Sequence, residues 1–170
     1  MEIDGRDRLF RPGQVVVDLG AAPGSWSEYA RSRVEPGGRV YAVDLLPMDP
    51  VPGVEFLQGD FGDGQVQRQM KEMLGERRAD LVICDIAPNL SGIRDTDQAR
   101  SMYLAECALD FAREVLAEGG DFLVKLFQGP GTDAFRRELM KGFQKVSVRK
   151  PRASRSESRE FYVLARGYKV

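Results

Sequence analysis

Alternating strand and helix signals, a glycine-broken turn after the first strand, and two closing strands joined by a link too short for a crossover helix predict a Rossmann-like α/β fold. The expected sheet has seven strands, mostly parallel, with an antiparallel C-terminal hairpin strand. Apolar runs place strands over Val15–Leu19, Arg39–Asp44, Val54–Gln58, Leu81–Asp85, Phe122–Phe127, Lys145–Arg149 and Phe161–Ala165. Helices fall between them over Ser25–Ser32, Gly64–Leu74, Asp97–Leu116 and Thr132–Lys141. In the third of these, Leu104, Ala108, Phe111 and Val115 recur at helical spacing and form a face that packs on a sheet. Gly119 and Gly120 are expected to end that helix through a left-handed cap. About ten residues, mostly charged or serine, separate the last two strands, which implies an antiparallel hairpin.

A chain of 170 residues with 42% hydrophobic content suits a single domain, 1–170, with a sizeable core. No apolar run has the length of a membrane span, and the start MEIDGRDRLF carries no apolar signal core. A cytoplasmic protein without a membrane partner is expected. Cys84 lies in an apolar strand and Cys107 in a helical pattern, without the spacing of a metal or redox motif, so both are expected as reduced, buried thiols. Histidine is absent, which removes the commonest general base and the commonest metal ligand. Acid–base chemistry then falls to Lys, Asp, Glu or Tyr, and no metal is expected.

The net charge of −1 conceals an uneven distribution, for Lys141 to Val170 holds nine Lys or Arg against two Glu. A basic end on an otherwise acidic chain points to a polyanionic partner that docks locally. Arg149, Lys150, Arg152, Arg155 and Arg159 are the expected contacts to that partner, with serines between them available to phosphate oxygens.

The stretch VVVDLGAAPGSW, Val15 to Trp26, runs from an apolar strand through Gly20 and Gly24 into a helix. Glycines let backbone approach a ligand, and the helix start offers unpaired N–H groups. The spacing matches neither the dinucleotide fingerprint nor a P-loop, which favours S-adenosylmethionine over NAD or ATP. Ligands of open α/β sheets lie beyond the strand carboxyl ends, where Asp18, Asp44, Asp60 and Asp85 form a series. Asp44 is placed for ribose hydroxyls and Asp60 for an adenine amino group. Lys125 is the odd cation within the apolar run FLVKLF, and an unpaired ammonium there is too costly to keep without a partner or a function. Glu160 opens the last strand at the same end of the sheet, so Asp85, Lys125 and Glu160 are expected to cluster beside the donor sulfonium.

VVDLGAAPGSW, DLLPMDP, FLQGDF, DIAPNLSG, GGDFLVKLFQGPG and VRKPRASR, in this order from about Leu9 to the C-terminus, resemble the FtsJ/RlmE family of ribosomal RNA ribose 2'-O-methyltransferases. The resemblance implies S-adenosylmethionine contacts at Gly24, Trp26, Asp44, Asp60 and Asp85, and a catalytic set including Lys125, Asp85 and Glu160. It implies as substrate a uridine ribose in large-subunit ribosomal RNA, modified on an assembled particle. A monomeric enzyme is expected. The family's catalytic set is a tetrad, and its first lysine aligns upstream of Met1. The expectation is therefore a form that binds cofactor but turns over weakly, with a non-catalytic cofactor- or RNA-binding module as the alternative. A methyltransferase for small molecules or proteins would satisfy the loop but not the basic C-terminal segment.

Overall fold

The computed structural model describes residues 2–22, 24–86, 91–151 and 159–170. Its strands are β1 (Val15–Leu19), β2 (Arg39–Asp44), β3 (Val54–Gln58), β4 (Ala79–Cys84), β5 (Leu116–Phe127), β6 (Phe143–Arg149) and β7 (Glu160–Tyr168). They form one sheet in the order β3-β2-β1-β4-β5-β7-β6. β1 to β5 pair in parallel, and β7 inserts antiparallel between β5 and β6. The helices of the described residues are α1 (Glu2–Asp7), α2 (Ser25–Val34), α3 (Gly64–Leu74), α4 (Arg94–Val115) and α5 (Thr132–Gly142). The seven-stranded, mostly parallel architecture with a reversed C-terminal pair is the one expected.

Alternation along each strand divides the core into two layers. Val17, Leu19, Val43, Val82, Val124 and Val163 face the side covered by α3, α4 and α5, where Met70, Leu74, Ala108, Phe111 and Leu139 complete the larger cluster. Val16, Val40, Leu81, Ile83, Leu123, Tyr162 and Leu164 face the other side, closed by Trp26, Ala30 and Val34 of α2 and by Ile3 of α1. Among the described residues, one full-length helix, one short helix and the Leu9–Phe10 segment cover this second face. Lys125 pairs with Tyr162 across β5 and β7, and Leu123 and Tyr162 place it on that thinly covered side.

Strand order reverses at β1, since the chain moves to β2 and β3 on one side and resumes with β4 on the other. Such a switch opens a crevice beyond the carboxyl ends of the strands. Here the walls nearly touch. The Asp85 N–H donates to the Leu19 carbonyl at 2.9 Å, and a Cβ at Gly20 would stand 2.8 Å from the Asp85 carbonyl oxygen. Gly20 also has φ +84, so both space and backbone conformation require glycine there.

Two expectations change. Gly119 and Gly120 do not end α4: the helix stops at Val115, with Leu116 already extended and its N–H donating to the Ala112 carbonyl. Leu116 pairs with Ala79 while Asp121 pairs with Leu81, so the residues between bulge out of β5, and Gly119 at φ +82 makes that bulge. Cys84 is buried as expected, but Cys107 is only half-buried, packed at the margin of the larger core cluster.

α1 was not expected. Six residues with a central glycine and Ile3 as the buried apolar side chain show no helical period, and tertiary contacts hold the segment instead. Asp4 accepts from Phe10 N at 3.1 Å and from the Tyr29 hydroxyl at 2.6 Å. Asp7 takes both arms of the Arg149 guanidinium at 2.9 Å, and its carbonyl accepts from Arg166. Arg149 holds the Asp7 carboxyl below the usual carboxylate range. Arg149, one of the expected RNA contacts, is held in this bidentate pair with its side chain 16% exposed. Arg149→Ala is expected to cost about 2 kcal/mol of stability, the scale of charged hydrogen bonds lost from a shielded site. Urea unfolding measures this, and an unchanged midpoint would show that the pair is not structural.

Candidate active site

Asp85 follows β4 directly, and each of its carboxylate oxygens is claimed. Lys125 Nζ lies 2.7 Å from Oδ1, while Trp26 Nε1 and the Tyr162 hydroxyl donate to Oδ2 at 3.0 and 3.1 Å. Three elements, α2, β5 and β7, thus converge on one carboxylate. Glu160 Oε2 stands 4.0 Å from Lys125 Nζ, on the opening residue of β7 opposite Phe127. Side-chain exposures of 12% for Lys125, 16% for Asp85 and 31% for Glu160 describe a cluster shielded from bulk water but reachable at one edge. Asp85, Lys125 and Glu160 therefore come together as the sequence predicted.

Tyr162 was missed as a site residue. It stands two positions after Glu160 in a strand, so the two share a face, and that spacing was the available signal. Burial raises its hydroxyl well above the ordinary tyrosine range, and the neighbouring Asp85 charge adds to this. Tyr162 is thereby kept as a hydrogen-bond donor. Burial likewise pushes the Cys84 thiol up to about 12, which leaves it unreactive.

The crevice beyond β1, β2 and β4 holds a cavity of about 470 Å³, lined in part by Gly20, Ala22, Asp44, Asp60, Asp85 and Tyr103. Asp44 Oδ2 accepts from Ala22 N at 3.0 Å and Oδ1 from Leu46 N at 2.8 Å, which ties the glycine-rich loop to the end of β2. Each oxygen retains a second lone pair for a ligand hydroxyl. Asp60 Oδ1 accepts from Gly62 N at 2.8 Å. Gly24 and Trp26, expected to touch a cofactor, are not in the described lining. Gly24 caps α2 at φ 113, where a Cβ would meet Met48 Sδ at 3.1 Å, and Trp26 is 9% exposed with its N–H turned to Asp85. Arg152 and Arg155 lie outside the described residues. Lys150 is exposed at the end of β6 and donates to the Glu160 carbonyl; Arg159 donates to the Gln128 carbonyl at 3.2 Å.

Asp18, fully buried in β1, accepts from Ser27 Oγ at 2.7 Å through Oδ2, while Oδ1 has no partner among the described residues. Burial pushes its carboxyl up to about 7 against the opposing pull of Ser27, with Asp85 and Asp44 adding to the rise. The cavity has the volume of a small-molecule site. Its carboxylates suit a ligand that brings a ribose diol, an amino group and positive charge, so the donor set fits an adenosyl sulfonium. Among the described residues, no cluster of three His, Cys, Asp or Glu could hold a metal ion, and no helix is long and apolar enough to cross a membrane.

A strand-switch crevice with acids at successive strand ends, on a sheet closed by a reversed seventh strand, defines an α/β methyltransferase. The chain belongs to the FtsJ-like methyltransferase family, whose model matches residues 1–168. It is 60% identical over 164 residues to the ribosomal RNA large subunit methyltransferase E of Azoarcus sp. (strain BH72), covering 96% of this chain and 80% of that protein. Among solved structures, a ribosomal RNA methyltransferase from Plasmodium falciparum superposes with a TM-score of 0.87 at 26% identity, covering 98% of this chain and 93% of that one. A methyltransferase from Streptococcus mutans, solved in complex with SAH, shares the fold at TM-score 0.63 and 14% identity, with 98% and 94% covered.

Asp18 gives a pH signature. Between 3.8 and about 7 the folded state keeps a proton that the unfolded state has released, so stability falls as pH rises through this window. Asp18→Asn retains an acceptor for Ser27 and is expected to remove that slope. Urea unfolding of both proteins across the window tests it, and parallel curves would show that Asp18 does not titrate there.

Proposed function

We propose that this chain transfers the methyl group of S-adenosylmethionine to the 2'-hydroxyl of a uridine ribose in large-subunit ribosomal RNA. The carrying observation is the Lys125 amine, held between Asp85 and Glu160 and bonded to an acid that lines the donor cavity. Membership of the FtsJ-like family and 60% identity to a large-subunit ribosomal RNA methyltransferase support the substrate class.

S-adenosylmethionine, when bound, supplies a methyl group on a sulfonium, activated for in-line displacement. The chain's own residues position and deprotonate the acceptor. Asp44 receives the donor's ribose hydroxyls, Asp60 its adenine amino group, and Asp85 closes the cavity near the reacting end. Lys125 enters the step as the neutral amine, its resting proton given up to water; Nζ then accepts the proton leaving the 2'-hydroxyl as its oxygen attacks, and the flanking carboxylates of Asp85 and Glu160 stabilise the ammonium so re-formed. Trp26 and Tyr162 prevent Asp85 from swinging away, which fixes the amine in turn. Gly24 and Trp26 act by shaping and bracing the loop that forms one wall.

RNA reaches this edge across the basic C-terminal segment. Lys150 and Arg159 are proposed to hold phosphates beside Glu160, with Arg152 and Arg155 extending the track. Arg149 serves as a strut beneath it.

Tritium transfer to undermethylated large ribosomal subunits, followed by digestion to nucleosides, tests the reading; labelled 2'-O-methyluridine is the expected product. Label on a base, or no label with donor bound, overturns it. Lys125→Met is expected to lower transfer by about 10³ while leaving donor affinity within a few-fold, as removal of an acid–base group requires. Calorimetry beside the transfer assay reads both quantities. Lys150→Ala and Arg159→Ala are each expected to reduce the salt slope of RNA binding by about 1, without changing donor affinity. Filter binding over a range of potassium chloride measures that slope.

A further inference from the structure

α4 supplies a wall of the donor cavity that the strand-end acids do not explain. Arg100, Tyr103 and Leu104 all line it and recur at helical spacing, so one face of α4 looks across the cavity toward Asp44 and Asp60. Leu104 belongs to the expected apolar stripe of this helix. Tyr103 does not belong to it, for the residue is 55% exposed and stands at the cavity.

The neighbourhood of Gly62 places the ring. A Cβ added at Gly62 would lie 3.2 Å from Asp60 Oδ1, 3.7 Å from Leu104 Cδ2 and 3.8 Å from Tyr103 Cε2. The Tyr103 hydroxyl reaches the Gly62 carbonyl at 3.5 Å. The carboxylate that would receive the adenine amino group and the Tyr103 ring therefore flank the same glycine. An exposed aromatic ring beside a hydrogen-bond acceptor, at the mouth of a cavity, is a surface on which a flat heterocycle loses water.

We propose that Tyr103 closes the amino-edge end of the adenine subsite and makes the cavity selective for donors whose adenine amino group is unsubstituted. This assignment rests on the adenosyl reading given above. The ring packs against the adenine edge, and its bulk fills the space that a substituent on the amino nitrogen would need. Asp60 still accepts from the one N–H that a singly substituted amine retains, so discrimination comes from the ring rather than from the acid.

Calorimetry with adenosine and with N6-benzyladenosine, on the unmodified chain, Tyr103→Ala and Tyr103→Phe, tests the assignment. The unmodified chain should bind adenosine at least tenfold more tightly than its N6-benzyl derivative. Tyr103→Ala should bind adenosine about tenfold more weakly and N6-benzyladenosine more tightly than the unmodified chain does, which narrows the preference by more than tenfold. Tyr103→Phe keeps the ring and should follow the unmodified chain. A structural role for Tyr103 would weaken both ligands by a common factor, and that result overturns the proposal. So does unchanged binding of both ligands, or a loss confined to RNA affinity. Failure of the unmodified chain to bind adenosine would instead overturn the adenosyl reading, and this assignment with it.

Discussion

The Asp85 carboxylate is the point at which the structure is tied together. It receives an ammonium from β5, an indole N–H from α2 and a phenol from β7, while its backbone bonds to the end of β1. A charge so poorly exposed is tolerable only when its oxygens are satisfied. Satisfaction here requires that all three elements be correctly placed. The same bonds that offset burial of the acid also fix the Lys125 amine, so the fold and the candidate site share their key contacts.

The uneven cover of the sheet explains why this cluster sits where it does. Three helices cover one face, and the second is closed by α2, the short α1 and the Leu9–Phe10 segment that follows it. Insertion of β7 between β5 and β6 brings Glu160 and Tyr162 beside Lys125 on that thinner face. A β6–β7 hairpin added at the sheet edge in sequence order would have put β6 next to Lys125 and carried Glu160 one strand further away. The Lys125 cluster thus opens at the β5–β7 end of the sheet, while the cavity lies beyond β1, β2 and β4, and Asp85 borders both.

Buried carboxylates serve different ends according to their partners. Asp4 and Asp7 anchor α1 through neutral and cationic donors, and Asp121 anchors β7 through Arg166. Asp18 lies fully buried in β1 with a single hydroxyl partner, and burial first, then its acidic neighbours Asp85 and Asp44, push its carboxyl up to about 7.

Strand positions were legible because each central strand is an apolar run ended by a glycine or an acid; β1, β2 and β3 match the expected bounds residue for residue. The strand-end acids and the lone cation of FLVKLF were legible for the same reason: a charge in an apolar run needs a partner or a function, wherever the run folds. α1 was not legible, because six residues without a period are helical only through contacts made long distances away in sequence. The Arg149–Asp7 pair and the Trp26–Asp85 hydrogen bond were not legible either, because each joins segments far apart in sequence. Tyr162 carried no signal beyond its strand character. Sequence by itself determined the layered α/β class, the crevice and the chemistry at its rim, since these follow from local periodicity and from the cost of burying charge. Only tertiary structure decided which donors meet which acids, because those pairings span as many as 142 residues and depend on strand order, which no local pattern encodes.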